Sequence, residues 1–341
     1  MVLFLAGIIG FAAANAAYLV WVERKGAARI QRRTGPCEVG PAGLIQPLAD
    51  GAKLMSKQII FPDGIDKPLF MIAPMFAMIP AVMILVTIPF GPVGFGPFAD
   101  FMLVAREMNI GLLMFFAFAS VNVMALLLGG WASKNKYAVI SAARAVSQDI
   151  AYEIPMILIA ITIVMTCGSM QLSTIVDSQA GGFWNWNWLP LNGNLFGPVT
   201  FIIFFICSLA ETNRAPFDLG EAESELIAGF HTEYSSMGFG LFFMGEYANI
   251  VIGAALTTIL FLGGWLSPLP ASIPYIGAPS VLWFLLKMYL LIWTVVLIRW
   301  TYPRVTLWSL LNLAWKIMIP FALVNLLGSA GLIKILPMLG L

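Results

Sequence analysis

The residues with the clearest potential for chemistry are acids gathered in one short segment. Five carboxylates stand against one arginine, Arg214, within fifteen residues; they are Glu211, Asp218, Glu221, Glu223 and Glu225. On a helix, Asp218, Glu221 and Glu225 would share one face and would repel one another unless some were protonated or paired. Carboxylates that are crowded and partly removed from water have raised pKa values, as a proton store or relay requires.

A solvated acidic loop is the alternative, since that is the commoner outcome for a run of charges. Two features favour proton chemistry instead. The acidic segment starts directly at the end of an apolar run, and the acids continue through Glu233 to Glu246 inside the next run. Glu153, preceded by Asp149, similarly opens another apolar run. Ionisable groups at membrane depth are functional candidates by default.

Composition places these acids in a membrane protein. The chain has 341 residues, of which 60% are hydrophobic and only 10% are charged, whereas a soluble domain carries about a quarter charged residues. A soluble enzyme is therefore excluded. The net charge of +1 gives nucleic-acid binding no electrostatic basis. Three widely separated cysteines and a single histidine, His231, predict neither a disulfide framework nor a metal cluster.

The apolar runs predict a single membrane domain, residues 1–341, of the all-α polytopic class. A spanning helix needs about 20 apolar residues, and about eight spans are predicted, with two long structured inner loops at 23–68 and 211–235. The spans are approximately 2–22, 69–90, 110–131, 153–170, 199–210, 236–262, 281–300 and 315–337. Lys287, six residues into the seventh span, is predicted to extend outward to the membrane surface.

The basic residues predict the orientation of these spans. Fifteen of the 18 Lys and Arg residues fall in loops on one side, eight of them in the loop 23–68. By the positive-inside rule that side faces the cytoplasm or the matrix, and both termini face outward. Within the loop, residues 42–59 place Leu44, Leu48 and Met55 along one helical face, as in a helix that lies in the membrane interface.

Short motifs distributed along the chain resemble those of one family. In chain order they are Glu23-Arg24-Lys25, Arg33-x-Gly35-Pro36, Gln46-Pro47-Leu48-Ala49-Asp50-Gly51-x-Lys53, Gly130-Trp131, Ser133-x-Asn135-Lys136-Tyr137, Tyr152-Glu153, the acidic segment 210–226, Gly229-Phe230, Glu233-Tyr234-Ser235, Gly245-Glu246-Tyr247 and Gly263-Gly264-Trp265. In this combination the sequence resembles the H subunit, which is the quinone-proximal membrane subunit, of proton-pumping NADH:quinone oxidoreductase (respiratory complex I). The resemblance covers nearly the whole chain, and its acidic motif is very specific.

The resemblance implies roles for particular residues. Those around a quinone chamber would be Arg24, Lys25, Arg33, Asp50, Phe217, Asp218 and Phe230. Those of the acidic wall and of the carboxylate path into the membrane arm would be Glu211, Arg214, Glu221, Glu223, Glu225, Glu153 and Glu246. The quinone tail is expected to enter between spans near the first interfacial helix. The headgroup itself would be reduced in a neighbouring subunit, so this chain would be a subunit of an enzyme and not catalytic alone.

The resemblance also implies partners. These would be other membrane-arm and hydrophilic-arm subunits, membrane quinone and the lipid bilayer. This chain lacks the Cys, His and Gly-rich signatures that hold redox cofactors, so NADH, FMN and iron–sulfur clusters would bind to partner subunits, and quinone would be the substrate of the complex. A bacterial inner membrane is the expected location, ahead of the mitochondrial inner membrane.

One departure from the family pattern lies near the C-terminus. After Arg299-x-Thr301-x-Pro303-Arg304 the family continues with Arg and then Asp-Gln-Leu, whereas Thr306, Trp308 and Ser309 stand here, with Leu310 retained. An Asp and an Arg are lost together, which is consistent with a deleted ion pair at a subunit-docking segment.

Two alternative functions remain open from the sequence. The first is the equivalent subunit of a related membrane-bound hydrogenase or of a ferredoxin- or deazaflavin-dependent dehydrogenase, which would share the acidic segment. The second is a stand-alone ion-coupled transporter, which would show inverted repeats and discontinuous helices at mid-membrane. The acids cluster at the inner face instead, which disfavours the transporter.

Overall fold

The structure is a computed structural model, and it describes residues 2–94, 101–190, 194, 196–220, 226–269 and 277–338. Within this part of the chain the protein is a helical bundle. Its helices are α1 (Val2–Ile30), α2 (Gln46–Ser56), α3 (Lys67–Thr87), α4 (Gly111–Ala132), α5 (Lys136–Cys167), α6 (Leu172–Asp177), α7 (Gly197–Glu211), α8 (Ser236–Phe261), α9 (Val281–Thr301), α10 (Leu307–Leu313) and α11 (Ile319–Met338). A π-helical turn, Ala314–Met318, joins the last two.

The helix lengths confirm the predicted all-α polytopic class. Among the described residues, seven helical segments are long and apolar enough to cross a membrane. The 15-residue α7 is a shorter apolar helix; at 1.5 Å per residue it extends only about 22 Å, against a hydrocarbon core of about 30 Å. The eight predicted spans therefore correspond to these seven segments and to α7, which matches the predicted span 199–210.

Two helices extend into segments predicted as inner loops. Helix α1 continues to Ile30, eight residues past the predicted end of the first span. Helix α5 begins at Lys136 rather than near 153. Its start is capped by Asn135, whose side chain accepts a hydrogen bond from the Tyr137 amide, and alanines such as Ala142 and Ala145 pack into the core. The extra turns of α5 carry Gln148 and Asp149, so the helix positions side chains beneath the acidic segment.

The loops predicted to be cytoplasmic meet at one end of the bundle, which we call the inner end. Asp66 donates its amide to the Ala132 carbonyl at 3.2 Å, and the Ile60 amide donates to Ser235 Oγ at 2.9 Å. The Val305 amide donates to the Pro216 carbonyl at 3.1 Å. The described parts of these loops, residues 31–66, 133–135, 212–220, 226–235 and 302–306, are therefore assembled as one surface.

Helix α8 lies at the centre of the bundle. It contacts α1, α3, α7 and α9, and its residues from Tyr247 to Phe261 are almost all buried. Most of the core belongs to one cluster of apolar side chains that includes α8. A second cluster at the inner end contains Phe70, Ala142, Phe230 and Phe242. A charged residue in α8 is consequently surrounded by protein.

Candidate functional site

The turn that follows α7 is held in place by one amide side chain of α5. Gln148 Nε2 donates to the carbonyls of Ala210 and Phe217, both at 2.8 Å, and to Asn213 Oδ1 at 3.2 Å. Asn213 Nδ2 in turn donates to Asp149 Oδ1 at 3.2 Å. Asn213 has a φ of 50°, a left-handed conformation that Asn tolerates better than most residues. The start of the acidic segment therefore has a defined shape.

Three carboxyl groups converge below this turn. Asp149 is buried and Glu211, the last residue of α7, is half-buried. Glu153 accepts a hydrogen bond from Ser120 Oγ at 2.7 Å. Asp149, Glu153 and Glu211 lie within electrostatic range of one another. Because groups this close titrate together, proton binding by one depends on the charge of the others.

A buried ion pair lies beside the three carboxyl groups. Arg214 is 2% exposed, and its Nη2 lies 2.8 Å from Glu246 Oε2. The guanidinium carbon also lies 4.4 Å from the centre of the Tyr247 ring and 5.1 Å from that of Phe243. A buried guanidinium needs such partners because its desolvation is costly. Glu246 and Glu211 line the same small cavity, so the pair and the carboxyl groups form one site.

The site extends through Tyr247 to the ends of two further helices. Tyr247 Oη donates to Glu23 Oε2 at 2.6 Å, and Glu23 is ion-paired with Arg299. A continuous series of side-chain contacts therefore joins the turn after α7 to α8, α1 and α9. Its members, in order, are Glu246, Arg214, Tyr247, Glu23 and Arg299. Acidic and basic groups alternate along it, so a change of charge at one position acts on the next.

The prediction that Asp218 shares a helical face with Glu221 and Glu225 is wrong for Asp218. The segment 212–220 is turns and extended chain. Pro216 disfavours helix at the residue before it and has no amide to donate, and the Phe217 carbonyl is taken by Gln148. Asp218 instead pairs with Arg304 at 2.9 Å. The predicted acids Glu221, Glu223 and Glu225 lie outside the described residues.

The basic residues predicted at the chamber entrance lie where α1 approaches α2. Arg24 Nη1 is 2.8 Å from Asp50 Oδ2, and both side chains are partly exposed. Lys25 Nζ donates to the Thr34 carbonyl at 3.4 Å, and Arg33 Nε donates to Gln31 Oε1 at 2.7 Å. The structure thus brings Arg24 and Asp50 into contact.

The two predicted aromatic residues belong to different parts of the core. Phe217 packs with Tyr152, at 5.9 Å between ring centres, in the main cluster. Phe230 is fully buried in the second cluster, edge-on to Phe242, and lines the cavity of Glu211 and Glu246. Nearby, Tyr234 stacks on Phe70 at 4.0 Å, and burial raises the pKa of its phenol above the ordinary value.

Sequence reasoning missed Gln148 as a site residue and misplaced Lys287. A neutral glutamine in a predicted loop gives no signal for three hydrogen bonds. Tyr247 and Glu23 belong to two of the family motifs, but nothing in their spacing along the chain indicates that the two side chains meet. Lys287 was predicted to extend outward to the membrane surface, and this prediction is wrong. The side chain is buried and donates to backbone carbonyls. In the described residues, no group of three or more His, Cys, Asp or Glu side chains could hold a metal ion.

Comparisons with known proteins cover nearly the whole chain. The family model described as NADH dehydrogenase matches residues 3–330. The NADH-quinone oxidoreductase H subunit of Desulfotalea psychrophila is 62% identical over 330 residues, which are 96% of this chain and 95% of the relative. The H subunit of Rhodospirillum centenum is 42% identical, over 94% of this chain and 89% of its own. An H subunit of Koribacter versatilis is 41% identical, over 92% of this chain and 91% of the relative.

Proposed function

The chain belongs to the family of NADH-quinone oxidoreductase H subunits, and from this premise we propose that its inner-end charges couple quinone reduction to proton movement. It is a membrane subunit of complex I, and so part of a proton-translocating enzyme rather than an enzyme alone. Within that function, the roles of individual residues are our proposal.

One observation carries the proposal. Glu246 lines the same cavity as Glu211 and pairs with the buried Arg214, and the contacts continue from Arg214 through Tyr247 to Glu23. Buried charges are costly unless they are paired, and ionisable residues inside a membrane protein usually serve transport. A series that joins the inner surface to the central helix α8 can transmit a change of charge into the membrane.

The coupling follows from charge balance. Reduction of a quinone to a quinol takes two electrons and two protons. A proton drawn from a carboxyl group near the chamber leaves a carboxylate behind, and that new charge attracts Arg214. When Arg214 is drawn toward Glu211, its hold on Glu246 weakens, and Glu246 then gains a proton more readily. Glu153 lies within electrostatic range of Glu211, so the same change of charge also alters how readily Glu153 binds a proton.

The quinone entrance is proposed beside α2. Leu48 and Met55 of this helix are 61% and 68% exposed, so an apolar face is available to the bilayer. On the other side of the helix Asp50 pairs with Arg24. An isoprenoid tail could lie along the apolar face while its polar headgroup passes the charged pair. Lys25 and Arg33, in the same loop region, would complete the entrance.

The remaining parts of the proposal concern the surroundings of the chain. Quinone is the substrate of the complex, and NADH, FMN and iron–sulfur clusters belong to partner subunits. The inner end, assembled from the basic loops, would dock the hydrophilic arm on the cytoplasmic side of a bacterial inner membrane. Both termini would then face outward.

The test is a charge-neutral replacement in the assembled complex. Glu211→Gln keeps the shape and removes the negative charge, and Glu38→Gln, at an exposed position, is the matched control. NADH:ferricyanide activity reports assembly, since it does not require quinone. We expect NADH:quinone activity and proton pumping to fall by about 100-fold in Glu211→Gln, the lower end of the range for a lost proton-transfer group, and to be unchanged in Glu38→Gln.

The proposal fails if Glu211→Gln and Glu246→Gln both assemble normally and leave quinone reduction and proton pumping untouched. A chain that purifies as a lone, stable transporter with its own solute flux would also overturn it.

A further inference from the structure

The outer end of α8 is enclosed by polar side chains from distant parts of the chain. Gln179 Nε2 donates to the Ile259 carbonyl at 2.9 Å, and Asn187 Nδ2 donates to the Leu260 carbonyl at 2.9 Å. Gln179 Oε1 also accepts from the Gly263 amide at 3.1 Å. The last carbonyls of a helix have no partner within the helix, and here buried side chains supply them. This end of α8 is therefore fixed in position.

A charged side chain, Lys287 on α9, makes a further attachment at this end. Its Nζ donates to three carbonyls just beyond α8: Leu262 at 2.7 Å, Gly264 at 3.0 Å and Leu266 at 2.6 Å. The Lys287 ammonium also lies 4.1 Å from the centre of the Trp186 ring. An ammonium has three N–H donors, and three carbonyls and a ring face enclose this one. The positive charge also favours the negative end of the α8 dipole.

Two glycines allow the chain to turn tightly around the ammonium. Gly263 and Gly264 have φ values of 67° and 50°. A Cβ on Gly263 would come within 2.6 Å of Trp186 Nε1, and one on Gly264 within 2.7 Å of Val176 Cγ2. The turn 262–266 therefore presents three carbonyls to one point, where the Lys287 ammonium satisfies all of them.

We infer that Lys287 is a positioning residue for the coupling reaction: its ammonium is a tethered cation that fixes the outer end of α8 and, through this helix, the position of Glu246 beside Arg214. The inference rests on the proposed function, because it concerns how Glu246 is placed. An α-helix transmits an axial shift of its end along its length, since its backbone hydrogen bonds keep the rise per residue constant. Packing around α8 leaves the helix few alternatives.

The test compares Lys287→Met, Lys287→Arg and the control Lys334→Met in the assembled complex. Lys334 is an exposed lysine on α11. For Lys287→Met we expect kcat for quinone reduction, per complex that retains NADH:ferricyanide activity, to fall about 10-fold, less than the 10²-fold that a 1 Å displacement can cost. The KM for quinone should stay unchanged, because Lys287 does not contact the chamber. Lys287→Arg should lie between, since a guanidinium keeps the charge but its N–H donors lie in one plane on separate nitrogens and cannot reach all three carbonyls as the ammonium does.

A direct readout of the anchor accompanies the kinetics. Hydrogen exchange of the amides from Thr258 to Leu266 should become faster in Lys287→Met and unchanged in Lys334→Met. If Lys287→Met does not assemble, Lys287→Arg carries the test, with an expected kcat about threefold lower and faster exchange of the same amides.

Wild-type kcat and wild-type exchange in the Lys287 variants would overturn the inference. A merely structural role would also overturn it: less complex would form, but kcat per assembled complex would be normal. Glu211→Gln separates the two proposals. If that variant is defective while the Lys287 variants are normal, only the positioning role fails, whereas normal coupling in both Glu211→Gln and Glu246→Gln removes the premise.

Discussion

Helix α8 is held by a buried cation at each of two places, and the two cations are held in different ways. Arg214 lies beside the inner half of α8 and faces the Glu246 carboxylate and two aromatic rings. Lys287, at its outer end, faces three carbonyls and one ring. A carboxylate can gain a proton and lose its charge, whereas a carbonyl dipole is constant. The inner attachment can therefore respond to chemistry, and the outer one serves as a fixed reference.

Replacing Arg214 by Met should disrupt the inner attachment of α8 and have the largest effect of the variants considered. Glu246 would be left as a buried carboxylate without its partner, and breaking a buried pair costs about 3–5 kcal/mol. We expect a large loss of assembled complex and a lower denaturation temperature, measured on purified complex. The control is Arg24→Met, which breaks the partly exposed pair with Asp50 and should cost about 0–1 kcal/mol. Equal losses in the two variants would contradict the buried character of the Arg214 pair.

The double variant Arg214→Met with Glu246→Met separates the stability of the buried pair from its role in proton transfer. Apolar replacement of both members of a buried pair is often neutral for stability, so assembly should recover most of what Arg214→Met loses. Proton translocation should remain impaired, because the Glu246 carboxyl group that would take up the proton is absent. The ratio of protons moved to electrons transferred, in vesicles that contain the variant complex, separates the two effects. Recovery of both stability and that ratio would mean that the pair is structural only.

The sequence predicted the helical class well, because long apolar runs have few alternatives in a bilayer. It was less informative about where helices end. The inner turns of α5 are not apolar, and their helical state depends on the Asn135 cap and on packing of Ala142 and Ala145. Such tertiary packing is not visible in a hydropathy pattern.

The candidate site could be predicted as a set of residues but not as a geometry. Glu211, Arg214 and Glu246 were identified from the acidic segment and the family motifs, and the structure brings them to one cavity or into direct contact. The environment of Lys287 could not be predicted, because its carbonyl partners lie 21 to 25 residues earlier in the chain. Only the folded turn at Gly263 and Gly264 directs those carbonyls to one point.

Gln148→Leu should have an intermediate effect. The variant removes the donor shared by the Ala210 and Phe217 carbonyls, and leaving such buried groups unsatisfied costs about 1–3 kcal/mol. The turn that carries Arg214 would loosen, so quinone reductase activity should fall together with thermal stability. Gln58→Leu, at an exposed position in the first inner loop, should change neither. If Gln148→Leu lowers stability but leaves activity per complex intact, the turn does not determine the position of Arg214.

The smallest effect is expected from Arg304→Met, which tests an ion pair that is buried on one side only. Asp218 is buried, but Arg304 remains 44% exposed, so water screens the charge that the variant leaves behind. We expect a loss of about 1 kcal/mol, near the upper limit for exposed pairs. At about 1 M salt, where the Debye length is about 3 Å, the difference from wild type should nearly disappear. Arg106→Met, at an exposed position in the loop before α4, should change stability by no more than about 0.5 kcal/mol. A salt-independent loss in Arg304→Met would contradict this screening and would place Asp218 in a desolvated environment like that of Glu246.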